Sequence, residues 1–372
     1  MIRVAINGYG RIGRVAHRVI LQKHASEIEV VAINAGSSTD IKGWMYLLRY
    51  DSSYGPLPSD VILRSEATKD LPARQMLLHQ ATAGGDSSAT PQNDNTYKDC
   101  IGYLIINDKK IPVFSQKEPT LLPWKDLSVD VVIESTGRFL TEEKLKAHLT
   151  AGAKKVILST PIKGGNVRTF VLSVNDKNYK GEALINNASC TTNCITPVAR
   201  IMVDNFGVEK AMMTTIHGYT SDQRVQDGGH KDYRRARAAA ENIVPTSTGA
   251  TIAAGEAIPE LVGIFNGLAI RVPVAVGSLS DFTFLLKKPT TKEEVNEIFK
   301  KEAQNPIYKG ILEVTEDPIV SSDIIGNSHS AIVDLSLTAV VGGNMAKVIA
   351  WYDNEFGYAN RLVEEVLMVG RQ

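Results

Sequence analysis

Cysteine is scarce in this 372-residue chain, with only Cys100, Cys190 and Cys194. An odd, sparse count argues against a disulfide framework and for a reducing compartment. A metal site would need further Cys or His at ligand spacing, and no second cluster accompanies Cys190 and Cys194. An excess of one charge is missing too: Lys+Arg and Asp+Glu number 41 each, so the formal net charge is +0. A nucleic-acid or membrane-surface binder normally shows a basic excess. No apolar stretch approaches the length that spans a bilayer. The opening Met1-Ile2-Arg3-Val4-Ala5-Ile6 shows no basic start followed by a long apolar run. No internal repeat is visible. The expectation is a cytoplasmic protein with no nucleic-acid, membrane or metal partner.

What is present is an ordinary globular composition, 43% apolar and 22% charged. The length exceeds what one core usually holds, so two domains are expected. The first third alternates strand and helix. Arg3–Asn7, Glu29–Asn34 and Val129–Ser135 read as strands, and Val156–Leu158 as another. Arg11–Lys23 has helical spacing, with Ile12, Val15, Val19 and Ile20 on one face. Thr141 suits a helix N-cap and Gly152 a helix end. Continuous apolar strands between helices imply an α/β domain with a parallel sheet. Beyond about residue 190 come Val208–Ile216, Leu268–Val276, Asp281–Leu286, Ala331–Leu337 and Val348–Trp351, strands with few helices between the later ones. That pattern implies a second, α+β domain on a mixed or antiparallel sheet. The expected division is 1–188, 189–355, and a C-terminal helix in 356–372 that packs back on the first domain. Glu66–Tyr97, rich in Gly, Ser, Asn and Asp, reads as a surface insertion without catalytic consequence.

Gly8-Tyr9-Gly10-Arg11-Ile12-Gly13 follows a strand and opens a helix. In that setting G-x-G-x-x-G marks a Rossmann-type dinucleotide site. Gly8 allows the tight turn, Gly10 lets backbone approach a pyrophosphate, and Gly13 lets helix and strand pack closely. A carboxylate is expected at the end of the second strand, on the ribose hydroxyls. That strand instead ends at Asn34 and is followed by Ala35. The absence of a carboxylate removes a barrier to a 2′-phosphate, so the cofactor is read as NAD or NADP. Asp40, a few residues on, is the alternative ribose partner.

Ser189-Cys190-Thr191-Thr192 lies between a strand and an apolar run. A cysteine at a helix N-terminus is placed for thiolate chemistry. His217, ending another strand, is the candidate acid/base partner. Cys194 reads as a buried neutral thiol.

Ala188-Ser189-Cys190-Thr191-Thr192-Asn193-Cys194 resembles the active-site signature of the glyceraldehyde-3-phosphate dehydrogenase family. Ile6 to Arg14, Glu134-Ser135-Thr136-Gly137, His217-Gly218-Tyr219-Thr220, Arg234 to Arg237, Thr246 to Ala250, Arg271 to Val274 and Trp351 to Tyr358 resemble it as well. The resemblance leaves out only Glu66–Tyr97. It implies Cys190 as nucleophile and His217 as base in a phosphorylating oxidation of glyceraldehyde 3-phosphate. It implies Thr220, Arg235 and Arg271 around the substrate phosphate, and Ser189, Thr191, Thr248 and Gly249 around inorganic phosphate. Arg11 and Ile12 would lie on the pyrophosphate, Lys117 and Ser135 along the cofactor, and Asn354 on the nicotinamide carboxamide. Trp124 and Trp351 are packing residues in this reading. NAD-specific members have Asp where this chain has Ala35, and tend to carry Leu-Pro where it has Gly228-Gly229; both departures point to NADP. A homotetramer is implied by analogy.

The nearest rival is a non-phosphorylating relative such as erythrose-4-phosphate dehydrogenase. Another is a semialdehyde or acyl-phosphate reductase, against which the Thr220 and Thr248-Gly249 matches speak. A rival from a different class is an interaction protein that has lost the chemistry. Such a chain should show decay at the nucleophile, base or phosphate ligands, and all of them stand here.

Overall fold

The computed structural model describes residues 1–58, 61, 63–67 and 97–372. All of the Glu66–Tyr97 segment except its ends lies outside the described residues.

The first sheet is built from β1 (Ile2–Asn7), β2 (Ile28–Asn34), β3 (Leu63–Ala67), β4 (Cys100–Ile106), β5 (Lys109–Phe114), β6 (Val131–Glu134), β7 (Lys155–Leu158), β8 (Arg168–Thr169) and β9 (Leu184–Asn186). Their order is β3-β4-β5-β2-β1-β6-β7-β9-β8. Pairing is parallel from β5 through β8, and β3–β4–β5 is an antiparallel edge. Helices α1 (Arg11–Lys23), α2 (Ile41–Arg49) and α3 (Glu142–Thr150) connect these strands. From β1 the chain winds outward through β2 to one side and later through β6 to the other. The crevice between the C-terminal ends of β1 and β6 is therefore a topological switch point, where such sheets bind ligands.

The second sheet contains β10 (Val208–Gly218), β11 (Val244–Ser247), β12 (Phe265–Val272), β13 (Ser278–Leu286), β14 (Leu312–Thr315), β15 (Ala331–Asp334), β16 (Ala339–Val341) and β17 (Met345–Tyr352). Its order is β11-β12-β10-β13-β17-β15-β14, with β16 beside β17. It is mixed: β10 runs parallel to β12 and antiparallel to β13. Helices α4 (Cys190–Phe206), α5 (Ala250–Ala257) and α6 (Lys292–Ala303) accompany it, and α7 (Phe356–Gly370) ends the fold.

Two expected strands of this half end early, and the first of them, Leu268–Val276, starts at Phe265 and stops at Val272. The expected strand Ala331–Leu337 stops at Asp334, whose side chain accepts from the Ser336 amide and starts a short 3-10 turn. A single α-helix, α6, stands among the later strands, in keeping with the few expected there. Helix α6 begins with a reciprocal capping box between Thr291 and Glu294.

Helix α7 packs on α1, and Leu362, Val363 and Val366 join Val15, Val19 and Ile20 in one core. Each such fully buried side chain contributes roughly 1.5–3 kcal/mol. Gly370 lies so close to Ile2 that a Cβ would stand 2.7 Å from its side chain.

Below the switch point sits a buried polar chain. Glu134 accepts from the Thr136 amide (2.8 Å) and hydroxyl and from the Asn7 side chain. Trp124 Nε1 donates to His148 Nδ1 (3.1 Å), so His148 Nε2 carries its proton and donates to Glu134 (3.0 Å). Asn34 donates to Asn7 Oδ1 at 2.6 Å. The ends of β1, β2 and β6 are thus tied through side chains as well as through the ladder. Glu134→Leu strands several buried donors, at about 1–3 kcal/mol each. Urea unfolding should show a loss above about 3 kcal/mol; a loss under about 1 kcal/mol would contradict this account of the crevice.

Candidate active site

Two cavities open at the carboxyl ends of the strands. The smaller, about 210 Å³, is walled by Gly8, Tyr9, Gly10, Ala35, Lys117 and Ser135, among others. Its glycines divide by task. A Cβ on Gly8, whose φ is +97°, would stand 2.5 Å from Thr136 N, and one on Gly13 would stand 2.3 Å from Gly8 O. Those two permit close packing of backbone. A Cβ on Gly10 would meet nothing within 4 Å. Gly10 caps α1 without a side-chain hydrogen bond, and the first turn carries no acidic residue. The orphan N–H groups of α1 therefore face open space, which fits a pyrophosphate.

Ala35 is in the wall of this cavity, with Gly36 and Ser37 beside it. Asp40 is engaged elsewhere: it caps α2, accepting from Gly43 N at 2.8 Å. Among the described residues the wall includes Lys117 and Arg138 and no carboxylate. Ser135 Oγ donates to Gly8 O at 2.7 Å and so braces the turn. Arg11 reaches the first cavity through its backbone position alone. Its side chain grips Asp51 and Glu355 at the rim of the second cavity, so only its first-turn backbone N–H is left for a ligand. Ile12 also lines that second cavity.

The second cavity, about 600 Å³, brings together Cys190, His217, Ser189, Thr220, Arg235, Arg271 and Asn354. Cys190 opens α4, and Ser189 caps it by accepting from Thr192 N at 3.1 Å. The turn before it is sharp. Ala188 is fully buried with φ of +51°, a left-handed conformation costing about 1 kcal/mol for a residue with a Cβ. His217 arrives from the end of β10, and its Nε2 lies 3.3 Å from Cys190 Sγ. The parallel register of β10 and β12 sets His217 opposite Arg271. Arg271 Nη1 approaches both His217 Nδ1 (2.6 Å) and Gly218 O (3.0 Å). Nδ1 also lies 2.6 Å from Gly218 O. Nδ1 can donate to that carbonyl or accept from Arg271, and in the tautomer that donates to Gly218 O, Nε2 is free to accept from the thiol.

Burial dominates the titration of the pair. It pushes the Cys190 thiol up while the Arg271 cation pulls it back. It pushes the His217 imidazole down to about 3, and Arg271 adds to that shift. Each group alone is therefore held neutral, and charge forms only as a pair, when Nε2 takes the Sγ proton. Cys194 is fully buried with its thiol pushed well up by burial, as befits an inert packing residue.

Arg235 is held by Asp222, Thr246 and Ser247 O. Asn354 Oδ1 accepts from Gly277 N (3.1 Å) and Ser278 Oγ (2.9 Å), which leaves its amide NH₂ for a ligand. Three residues read as phosphate ligands are not in the cavity wall. The Thr191 hydroxyl is buried against Tyr352 (2.9 Å); Thr248 caps Ala250 N (3.1 Å), and Gly249 starts α5 beside it. Lys163, Lys231 and Tyr358 line the cavity and were not singled out from the sequence. Tyr358 ends the Trp351 to Tyr358 stretch that resembles the family but carried no role there, and nothing in the local pattern of Lys163 or Lys231 marks them. Trp124 is fully buried and Trp351 nearly so, both as packing residues.

Residues 2–70 and 74–142 match the NAD binding domain of glyceraldehyde 3-phosphate dehydrogenase, and residues 189–354 match its C-terminal domain. The chain belongs to the glyceraldehyde 3-phosphate dehydrogenase family. It is 46% identical over 375 residues to the glyceraldehyde-3-phosphate dehydrogenase of Mycobacterium avium, covering 100% of this chain and 99% of the relative. Identity to that of Mycolicibacterium smegmatis is 46% over 376 residues, with the same coverage. Identity to glyceraldehyde-3-phosphate dehydrogenase 2 of Synechocystis is 45% over 373 residues, again with that coverage. In family terms the smaller cavity belongs to the NAD binding domain and the second borders both matched regions.

Gly13→Ala should lower the melting temperature through its backbone clash. Gly10→Ala should leave melting unchanged and weaken NAD affinity at least tenfold; equal affinity would refute the phosphate cradle. His217→Asn should lower kcat by about 10²–10⁴. It should also move the ionisation of Cys190 to higher pH, because the thiol loses its proton acceptor. The iodoacetamide rate against pH reads this directly, and an unshifted profile would separate the two residues.

Proposed function

We propose that the protein oxidises glyceraldehyde 3-phosphate with inorganic phosphate to 1,3-bisphosphoglycerate, in glycolysis or gluconeogenesis. The observation that carries this reading is the Cys190–His217 contact at a helix N-terminus, in one cavity with Arg235 and Arg271. Cys190 Sγ bonds to the aldehyde carbon, and the carbonyl oxygen takes the proton that Sγ gave to His217 Nε2. His217 then withdraws that proton as the carbon is oxidised to a thioester. A nicotinamide dinucleotide, when bound, supplies the acceptor for the hydride leaving that carbon. Phosphate attacks the thioester, expelling the Cys190 thiolate, which recovers a proton from His217.

The guanidinium groups of Arg235 and Arg271, with Thr220, suit the substrate's phosphate. Arg271 touches His217 as well, so a phosphate that draws it away from Nδ1 makes the imidazole a better base. Of the residues proposed for inorganic phosphate, Ser189 is the one in the wall, while Thr191, Thr248 and Gly249 would need local rearrangement. Gly8, Gly10, Gly13 and Ser135 would shape the dinucleotide site, with the backbone of Arg11 and Ile12 at its phosphates. Asn354 would hold the carboxamide. The matched domain supports NAD binding; use of NADP is our inference from Ala35, Lys117, Arg138 and the absence of a wall carboxylate. No observation favours the erythrose-4-phosphate alternative.

We further propose domains at 1–188 and 189–355 with 356–372 closing on the first, and a cytoplasmic homotetramer. The second sheet exposes Met212 and Leu268, with Val225, Tyr233 and Ile243 exposed nearby in sequence, the kind of apolar face that copies of a chain cover. No described helix is long and apolar enough to cross a membrane.

The test is a steady-state assay with glyceraldehyde 3-phosphate, run with NAD and NADP, each with and without inorganic phosphate. Phosphate-dependent reduction of both cofactors is expected, and Ala35→Asp should cut kcat/KM for NADP at least tenfold while sparing NAD. Turnover independent of phosphate would overturn the reaction; negligible turnover of NADP by the parent enzyme would overturn the cofactor reading.

A further inference from the structure

His217 Nδ1 faces two partners that make opposite demands on it. Gly218 O, at 2.6 Å, can only accept, so it requires a proton on Nδ1. Arg271 Nη1, also at 2.6 Å, can only donate, because a guanidinium keeps its protons, so it requires Nδ1 bare. A neutral ring has one proton, and the two contacts cannot both be satisfied. The choice made at Nδ1 fixes what Nε2 can do. With Nδ1 bare the proton sits on Nε2, which then turns a hydrogen toward Cys190 Sγ, 3.3 Å away, and cannot take the thiol's. With Nδ1 protonated, Nε2 is the acceptor that proton transfer from Sγ requires.

The surroundings show which partner can leave. Gly218 is held in β10 by its register with β12, and its N–H donates to Ser278 Oγ at 3.1 Å. Arg271 is held more loosely. Its hydrogen bonds run to Nδ1 and to Gly218 O (3.0 Å), no described carboxylate pairs with it, and its Nε is buried without a partner. Arg235, the other guanidinium proposed for the substrate's phosphate, has three anchors in Asp222, Thr246 and Ser247 O. A dianion entering the cavity would therefore draw Arg271 rather than Arg235, and would give Nε the acceptor it lacks. Among the described residues, no other charged side chain of the cavity wall hydrogen-bonds to the ring.

We propose that Arg271 determines specificity through the tautomer of His217: it keeps Nδ1 bare while no anion competes for the guanidinium, and gives Nδ1 up to Gly218 O when the substrate's phosphate takes it. The inference rests on the reading of the cavity as a site for a phosphorylated aldehyde, and adds the gating of its base. In the change Nδ1 gains a proton from water and Nε2 returns one, so the imidazole stays neutral throughout. An aldehyde without a phosphate group then meets a thiol that has no base. It is rejected in kcat as well as in KM.

The probe is methylphosphonate, a dianion with no aldehyde. Nitrogen NMR of the full-length enzyme, isotope-labelled at histidine, reads the two ring nitrogens of His217, whose signals are identified by their loss in His217→Asn. A proton on Nε2 is expected without methylphosphonate and on Nδ1 with it; one tautomer under both conditions overturns the proposal. The iodoacetamide rate at Cys190, at neutral pH, should rise at least fivefold when methylphosphonate is added. In Arg271→Met without the probe, it should equal or exceed that of the parent enzyme. A guanidinium that acted by its charge alone would give the reverse, since losing a cation beside the thiolate slows alkylation, and that result overturns the proposal. If Arg271→Met melts early, the NMR comparison on the parent enzyme decides. Turnover of unphosphorylated glyceraldehyde should gain at least fivefold in kcat with methylphosphonate, and a gain confined to KM overturns the claim on specificity. NMR and alkylation need no turnover, so an enzyme inert toward glyceraldehyde 3-phosphate would sink the proposed reaction while the tautomer result stood by itself.

Discussion

One guanidinium joins the two halves of the chain. Arg11, in the first turn of α1, holds Asp51 from the first half and Glu355 from the segment after β17. Burial weakens its charge, but the two carboxylates more than restore it, and the pKa of the group is raised. Glu355 follows Asn354, and Asp353 before them accepts from Tyr54 at 2.8 Å. The phosphate end of the dinucleotide cleft and the amide proposed for the nicotinamide are therefore fixed relative to each other by ion pairing. The tie adds to the packing of α7 on both α1 and α4, which also spans the two sheets. Partial burial is what makes the arrangement useful, since exposed ion pairs contribute little.

The same economy of position recurs at the nucleophile. Cys190 depends on three elements distant in sequence. Helix α4 supplies its N-terminus, β10 supplies His217, and β12 supplies Arg271 by register. Tyr352 from β17 ties Thr191 to Thr215 through its hydroxyl (2.9 and 2.8 Å), bracing α4 against β10 below the reacting atoms. A buried hydroxyl needs partners, and Tyr352 finds two. That demand explains why Thr191 is withheld from the cavity.

Much of this was legible in the sequence. Helix α1 runs over the expected residues because its apolar spacing and its glycine start agree. Cys190 and His217 meet because a motif specific enough to name a family carries their geometry. Local signals were also present but unread: the Asp40 cap of α2 and the Thr291 capping box of α6 both follow known rules. Other features could not be read locally. The partner of Thr191 lies 161 residues away. The strand ending at Asp334 looked longer because the apolar residues continue through Leu335 and Leu337 after the backbone has turned.

Glu365 shows where such reading ends. In sequence it is the second of two acidic residues on an amphipathic terminal helix, where a solvated position is the natural expectation. Glu364 meets that expectation, pairing with Arg361 at 2.6 Å. One residue on, the 100° step of the helix turns Glu365 into the core. Periodicity alone places it there as an error of patterning, a polar residue at a core position. Native chains keep such exceptions where function needs them.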